Sequence, residues 1–330
     1  MAEAKIQILI PTCNSVNDLD ITVESIQEQN YDPENIYITI VDFGSNDGTY
    51  EKALGYNGKH LGIYSRPFQK NWRQRLTDAA RIIEFTRPGG MYCLSAVMYP
   101  GDIMYSDCLQ TISDKYIESF QLHPSMVVCE SDIFLDNGEI EKQGSLFAED
   151  CVIDGSREIN KYVERGYRHQ IFQMTPEFAR GRRKENYEMN EGRSWNKLFW
   201  RNEERMTLYI QKPLVCTRRM IYEDELQEIL YRWDAHIHIV RWYTNKYGQV
   251  FDNRFLDVAN ANLAEYALWR SFSLHQKKAQ WKEIEDCFLI SEVISSTIKE
   301  KEIYSKMQKL ILEKDLAEKS TIKQYFSKQY

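Results

Sequence analysis

Two short apolar runs, each closed by a polar turn and followed by a helical period, constrain this chain more than any other feature. "KIQILIPTCN" (5–14) has the character of a buried strand that stops at Pro11 and small polar residues. "SVNDLDITVESIQEQN" then offers Asn17 or Asp18 as a helix cap and sets Leu19, Val23 and Ile26 at helical spacing. "IYITIVDFGSNDGTYEKAL" repeats the pattern as strand, glycine-containing turn and helix. A βαβα opening predicts a parallel sheet, and such sheets bind ligands at the carboxyl ends of their strands.

The pattern continues. Leu76, Ala79, Ala80 and Ile83 form an apolar helical face, "GGMYCLSAVMYPGD" reads as a buried strand, "SDCLQTISDKY" as a helix capped by Ser106 or Asp107, and "SMVVCESDIFLD" as another strand. Residues 137–215 are less periodic and richer in loops and charge. A helix is expected to begin near Glu223, with a strand-like run from His236 to Tyr243. From Asn260 onward the period is helical, and Ile290, Ile294, Ile298, Ile303, Met307, Leu310 and Ile311 make an apolar stripe that must be buried. The expected organisation is one domain over 1–258, with a nucleotide-binding half (1–135) and an acceptor-facing half (136–258), then a helical extension over 259–330.

A formal net charge of −7 argues against a general nucleic-acid binder, which needs a basic face to neutralise phosphates. Seven scattered cysteines without CxxC spacing suggest reduced, buried thiols rather than disulfides or a zinc site. "HIHI" places His236 and His238 on one face of an extended segment, but no third ligand follows nearby. The short run Ile6–Ile10 is too brief for a signal peptide or a membrane span, so the expectation is a cytoplasmic protein without a transmembrane segment.

Chemistry concentrates where the strands end. Thr12 and Asn14, Asp42 with Asp47, and Asp102 stand in the loops after three successive strands, and no GxGxxG fingerprint supports a dinucleotide oxidoreductase. "ILIPTCNSVNDLDITVESIQEQ", "ITIVDFGSNDGTYEKA" and "YPGDIMYSDCL", followed by "SWNKLFWR" and "YEDELQEI", together resemble glycosyltransferase family 2. The resemblance implies a GT-A fold, an α/β, Rossmann-like, mostly parallel sheet flanked by helices. It also implies an inverting enzyme that moves a sugar from a nucleotide-diphosphate donor, a UDP-sugar, to a glycan, protein-linked or cell-wall acceptor.

On that resemblance Pro11, Thr12 and Asn14 line the nucleotide pocket, and Asp42 accepts a hydrogen bond from the base. Asp102 is the last acid of a metal motif holding Mn2+ or Mg2+ against the diphosphate. Met98, Tyr99 and Pro100 stand where a first acid would be, which leaves metal dependence open. Asp224, beside Glu223 at the start of a helix, matches the general base. Apart from the resemblance, Arg180, Arg182 and Arg183 form the dense positive loop of an acidic chain, and guanidinium forks there would grip the diphosphate, while Trp195 would offer the acceptor an aromatic face.

Plainer readings stand beside these. Asp42 and Asp47 also suit a turn, Asp102 a Pro-Gly-Asp strand end, Glu223 and Asp224 a helix dipole, and the arginines a solvated face. A non-catalytic GT-A-fold protein binding a glycan or a partner, its metal site decayed at Tyr99, is the rival reading; a nucleotidyltransferase ranks third, lacking a glycine-rich basic loop after the first strand. The stripe on the last helices suggests either packing on the preceding domain or a homo-oligomer.

Overall fold

The computed structural model describes residues 3–69, 72–86, 88–90, 92–134, 139–142, 145, 147–154, 169–174, 206–218, 226, 229–230, 233, 253–314 and 317–326. Its first half runs β1 (Lys5–Thr12), α1 (Leu19–Gln27), β2 (Ile36–Phe43), α2 (Thr49–Leu54), β3 (Leu61–Arg66), α3 (Trp72–Thr86), β4 (Cys93–Val97), β5 (Ile103–Met104), α4 (Cys108–Glu118) and β6 (Met126–Phe134). There follow β7 (Ile140–Glu141), β8 (Cys151–Asp154), β9 (His169–Met174) and β10 (Met206–Arg218). Among the described residues these strands form one sheet in the order β3-β2-β1-β4-β9-β6-β10-β5, with β7 on β6 and β8 on β10.

β3, β2, β1 and β4 are mutually parallel, and β6 and β10 form a second parallel pair. β9 runs antiparallel between β4 and β6. The βαβα expectation therefore holds for the first four strands. Beyond them the sheet is mixed, and the loop-rich reading of 137–215 missed both β9 and the thirteen residues of β10.

β1 reads as an unbroken apolar run because both its faces are covered. Ile6, Ile8 and Ile10 meet Leu19, Val23 and Ile26 of α1 and Leu109 and Ile112 of α4 on one side. On the other, Leu9 meets Val41, Phe43 and the α3 residues Ala79, Ile82 and Ile83. Asp18 and Asp107 occupy the cap positions expected of α1 and α4, but neither side chain caps its helix by a hydrogen bond. Pro11 is tolerated late in a central strand because pairing with β4 ends at Leu9–Val97.

The chain divides into two compact units, the sheet unit and a helical unit that takes in residues 221–330 with two short upstream segments. The helical unit contains α5 (Asn253–Gln276), α6 (Trp281–Ile294), α7 (Glu302–Ile311) and α8 (Lys319–Phe326). Ile294, Ile298, Ile303, Met307, Leu310 and Ile311 are buried in the unit's own core with Phe272, Phe288 and Phe326. The stripe read from the sequence is thus covered within the helical unit. Leu226, Ile229 and Trp233 share this core, whereas the sequence reading began the helical extension at 259. No helix of the described residues is long and apolar enough to cross a membrane.

Candidate functional site

The carboxyl ends of β1 and β2 are sewn together by the loops that follow them. Asn14 takes a left-handed backbone at φ 53°, which asparagine tolerates better than most residues. Its N–H donates to Ser45 Oγ at 2.8 Å, and its Oδ1 accepts from the Asn46 N–H at 2.9 Å. The Ser15 N–H donates to Thr49 Oγ1 at 2.8 Å, and the Val16 N–H to Asp47 Oδ2 at 3.1 Å. Asp47 also accepts from the Thr49 N–H and hydroxyl. Partial burial pushes the Asp47 carboxyl up, but the Thr49 and Val16 donors outweigh it and hold it below the ordinary carboxylate range.

Asp42 is 1% exposed and lies within β2, not in the loop. Its Oδ2 accepts from the Ser45 N–H at 3.1 Å, and its Oδ1 from the Ser45 hydroxyl. The expectation of a loop carboxylate is corrected here: Asp42 lies in the strand and organises the turn that follows it. Thr12 pairs in register with Asp42, and its buried hydroxyl has no hydrogen-bond partner among the described residues. Such a group costs about 1–3 kcal/mol unless something else satisfies it.

At the end of β4 the chain turns through Gly101, whose φ of 96° favours glycine. Asp102, 4% exposed, accepts from the Tyr99 N–H at 2.8 Å through Oδ2. Thr22 of α1 fixes this turn, its hydroxyl donating to the Asp102 carbonyl at 2.8 Å and accepting from the Gly101 N–H at 2.9 Å. Tyr99, standing where an acid would be expected, packs against the apolar cluster of Leu9, Val41 and Phe43, and Met98 is fully buried on the other face. Among the described residues no group of three or more His, Cys, Asp or Glu side chains is placed to hold a metal ion.

The sequence reading did not single out Arg75, Phe68 or Cys13, which the fold brings to these strand ends. Gly44 allows the chain after β3 to come close: a Cβ there would lie 2.8 Å from the Phe68 nitrogen, and φ is 66°. Phe68 is exposed, with the Arg75 guanidinium 5.4 Å from its ring centroid. Arg75 Nε donates to the Gln69 carbonyl. Burial raises the Cys13 thiol, Arg75 opposes that, and Asp42 and Asp47 add to it, so all three groups lie within electrostatic reach of one sulfur. The signal was a strand at 61–66, whose half-exposed edge character hid it.

Glu223, Asp224, Arg180, Arg182, Arg183 and Trp195, like the run from His236 to Tyr243, lie outside the described residues. Pro11, Thr12, Asn14, Asp42 and Asp102 all stand at or just beyond the carboxyl ends of β1, β2 and β4.

Comparison with known structures gives the fold. The chain is similar to a structure of S. aureus TarS 1–349 at 12% identity, over 90% of this chain and 91% of that one, with a TM-score of 0.52. A complex of TarS 1–349 with UDP-GlcNAc gives 11% identity, 90% and 92% coverage and a TM-score of 0.55. A further TarS structure gives 0.57, with 93% of this chain covering 55% of that one. The sheet is that of the GT-A glycosyltransferases. Residues 7–81 match the model described as Glycosyl transferase family 2. No curated protein sequence matches significantly.

Proposed function

We propose that the chain transfers a sugar from a UDP-sugar to a glycan acceptor with inversion at the anomeric carbon. The carrying observation is that Thr12, Asp42 and Asp102 stand at or just beyond the carboxyl ends of the parallel strands β1, β2 and β4, with Thr12 and Asp42 in register and both inside the segment matched by the family 2 model. Parallel α/β sheets bind nucleotides there. The unpartnered Thr12 hydroxyl supports the same place, since a ligand would satisfy it. Asp42 has both oxygens engaged by Ser45, yet a carboxylate offers about four acceptor positions, enough to take a base N–H as well.

In this reading the acceptor hydroxyl oxygen attacks the anomeric carbon, the bond to the diphosphate breaks, the hydroxyl proton passes to Asp224, and the nucleoside diphosphate leaves. Arg180, Arg182 and Arg183 take diphosphate oxygens through their guanidinium forks, and Trp195 stacks on the acceptor, both roles resting on side-chain chemistry. A divalent cation, if it takes part, arrives with the donor diphosphate, because Asp102 offers it a single carboxylate.

Purified protein incubated with a panel of nucleotide sugars, with manganese, magnesium or EDTA, tests the reading through release of nucleoside diphosphate. Asp224→Asn should lower transfer about a hundred- to ten-thousand-fold while sparing UDP binding. The packing of Tyr99 in place of an acid favours the rival, a non-catalytic glycan binder. Glycan binding without turnover under any of the three conditions would select it.

A further inference from the structure

The acid missing beside Asp102 in the sequence is matched by one from elsewhere in the sheet. Asp132 lies near the end of β6 opposite Cys216 of β10, and Cys216 lies opposite Ile103 of β5, so three neighbouring strands bring Asp132 and the Asp102 turn to one edge. Residues in register on adjacent strands project to the same face, which sets Asp132 and Cys216 side by side. Tyr105 donates its hydroxyl to Asp132 Oδ2 at 2.7 Å and is hydrogen-bonded to the Cys216 thiol. Tyr105 is itself fixed, its N–H donating to the Leu214 carbonyl at 3.0 Å and its carbonyl accepting from Gln29 at 2.8 Å. Burial, then the bond to Asp132, raises the Tyr105 phenol, so it stays a donor. Burial likewise raises the Cys216 thiol, with Asp132 and Asp102 adding to the rise, which puts both carboxylates within electrostatic reach of one sulfur.

Asp132 is 4% exposed, and Tyr105 is the one hydrogen-bond donor to its carboxylate among the described residues. No lysine or arginine among them pairs with it. A carboxylate offers about four acceptor positions, so one phenol donor leaves Asp132 room to accept more. Adjacent hydroxyls of a sugar ring supply a pair of neutral O–H donors in the spacing a carboxylate accepts.

We propose that Asp132, fastened by Tyr105, binds ring hydroxyls of a sugar entering the strand-end site beside Asp102, and so selects which sugar is used. The inference rests on the glycosyltransferase reading. The sugar belongs either to the donor or to the acceptor, and kinetics separate the two.

Asp132→Asn and Tyr105→Phe are compared with wild type for melting temperature, UDP affinity by calorimetry, and kcat and KM for donor and acceptor. The expected result is unchanged melting and UDP affinity, with KM for one substrate raised about ten- to a hundredfold in Asp132→Asn, the loss for a hydrogen bond to a charged group. Tyr105→Phe should move the same KM by less. A rise in donor KM assigns the transferred sugar; a rise in acceptor KM assigns the acceptor. Unchanged KM values in active, folded Asp132→Asn overturn the proposal and leave the glycosyltransferase reading standing. If wild type turns over no nucleotide sugar, that reading fails. Ligand-observed NMR with glucose and N-acetylglucosamine then decides: binding lost in Asp132→Asn upholds the sugar site, whereas no binding, or binding unchanged, overturns it. Should Asp132→Asn fail to fold, Tyr105→Phe alone carries the same readouts.

Discussion

Asp42 combines two tasks that usually fall to different residues. It is the last polar group of a buried strand and also the anchor of the turn after it, through the N–H and the hydroxyl of Ser45. Ser45 in turn accepts from Asn14, so the carboxylate reaches the first loop at one remove. Asp42→Ala is therefore expected to weaken UDP binding and also to cost about 1–3 kcal/mol, because Ser45 loses its acceptor. Calorimetry with UDP and denaturant unfolding of the same variant check both halves. A variant as stable as wild type would remove the anchoring role, and unchanged UDP affinity would remove Asp42 from the pocket. Asn14, exposed on the first loop, also serves its neighbour, its Oδ1 accepting from the Asn46 N–H.

At the level of elements, α1 and α2 are tied together beneath these loops. Lys52 of α2 pairs with Asp20 of α1 and donates to the Val16 carbonyl at 2.7 Å, while the Tyr56 hydroxyl donates to Asp20. The Lys52 hydrogen bond, then that of Tyr56, holds the Asp20 carboxyl below its ordinary value. A group lowered on folding binds protons more readily in the unfolded chain, so its stabilisation is complete above the ordinary carboxylate range and fades as pH falls through the lowered value. Asp47 follows the same sign. Urea midpoints measured from pH 7 to pH 3 should fall more steeply for wild type than for Asp20→Asn; parallel curves would show the pair to be inert. The strands and helices up to β6 were legible because their period and turn residues agree. β3 was not, being six residues at a half-exposed edge, and neither was β10, whose pairing with β6 shifts register between Ile210 and Val215 around Pro213. The same cause divides the site: Thr12, Asn14, Asp42 and Asp102 follow strands that announce themselves. Arg75 depends on the unread β3, and Asp132 acquires meaning only when β10 and β5 stand beside β6.

On the scale of the whole molecule, the helical unit owes its core to residues both before and inside α5. A chain stopped near residue 258 would break α5 and strip Ile229, fully buried, of its partners. We expect that truncation to be poorly soluble, while one ending at residue 326 keeps α8 and stays folded; far-ultraviolet circular dichroism and light scattering on both would show it. Full-length protein in the same light-scattering run tests for a homo-oligomer, which the apolar stripe no longer requires. The strand order has a further consequence during synthesis. β9 fills the gap between β4 and β6, yet His169–Met174 is made after both of them. Until those residues leave the ribosome, β4 and β6 each present a bare hydrogen-bonding edge of apolar sequence, the kind that recruits other chains. A nascent chain arrested near residue 175, with β6 emerged and β9 still inside the ribosome, should be a stronger chaperone client than one arrested near residue 220, which ribosome-bound crosslinking would reveal.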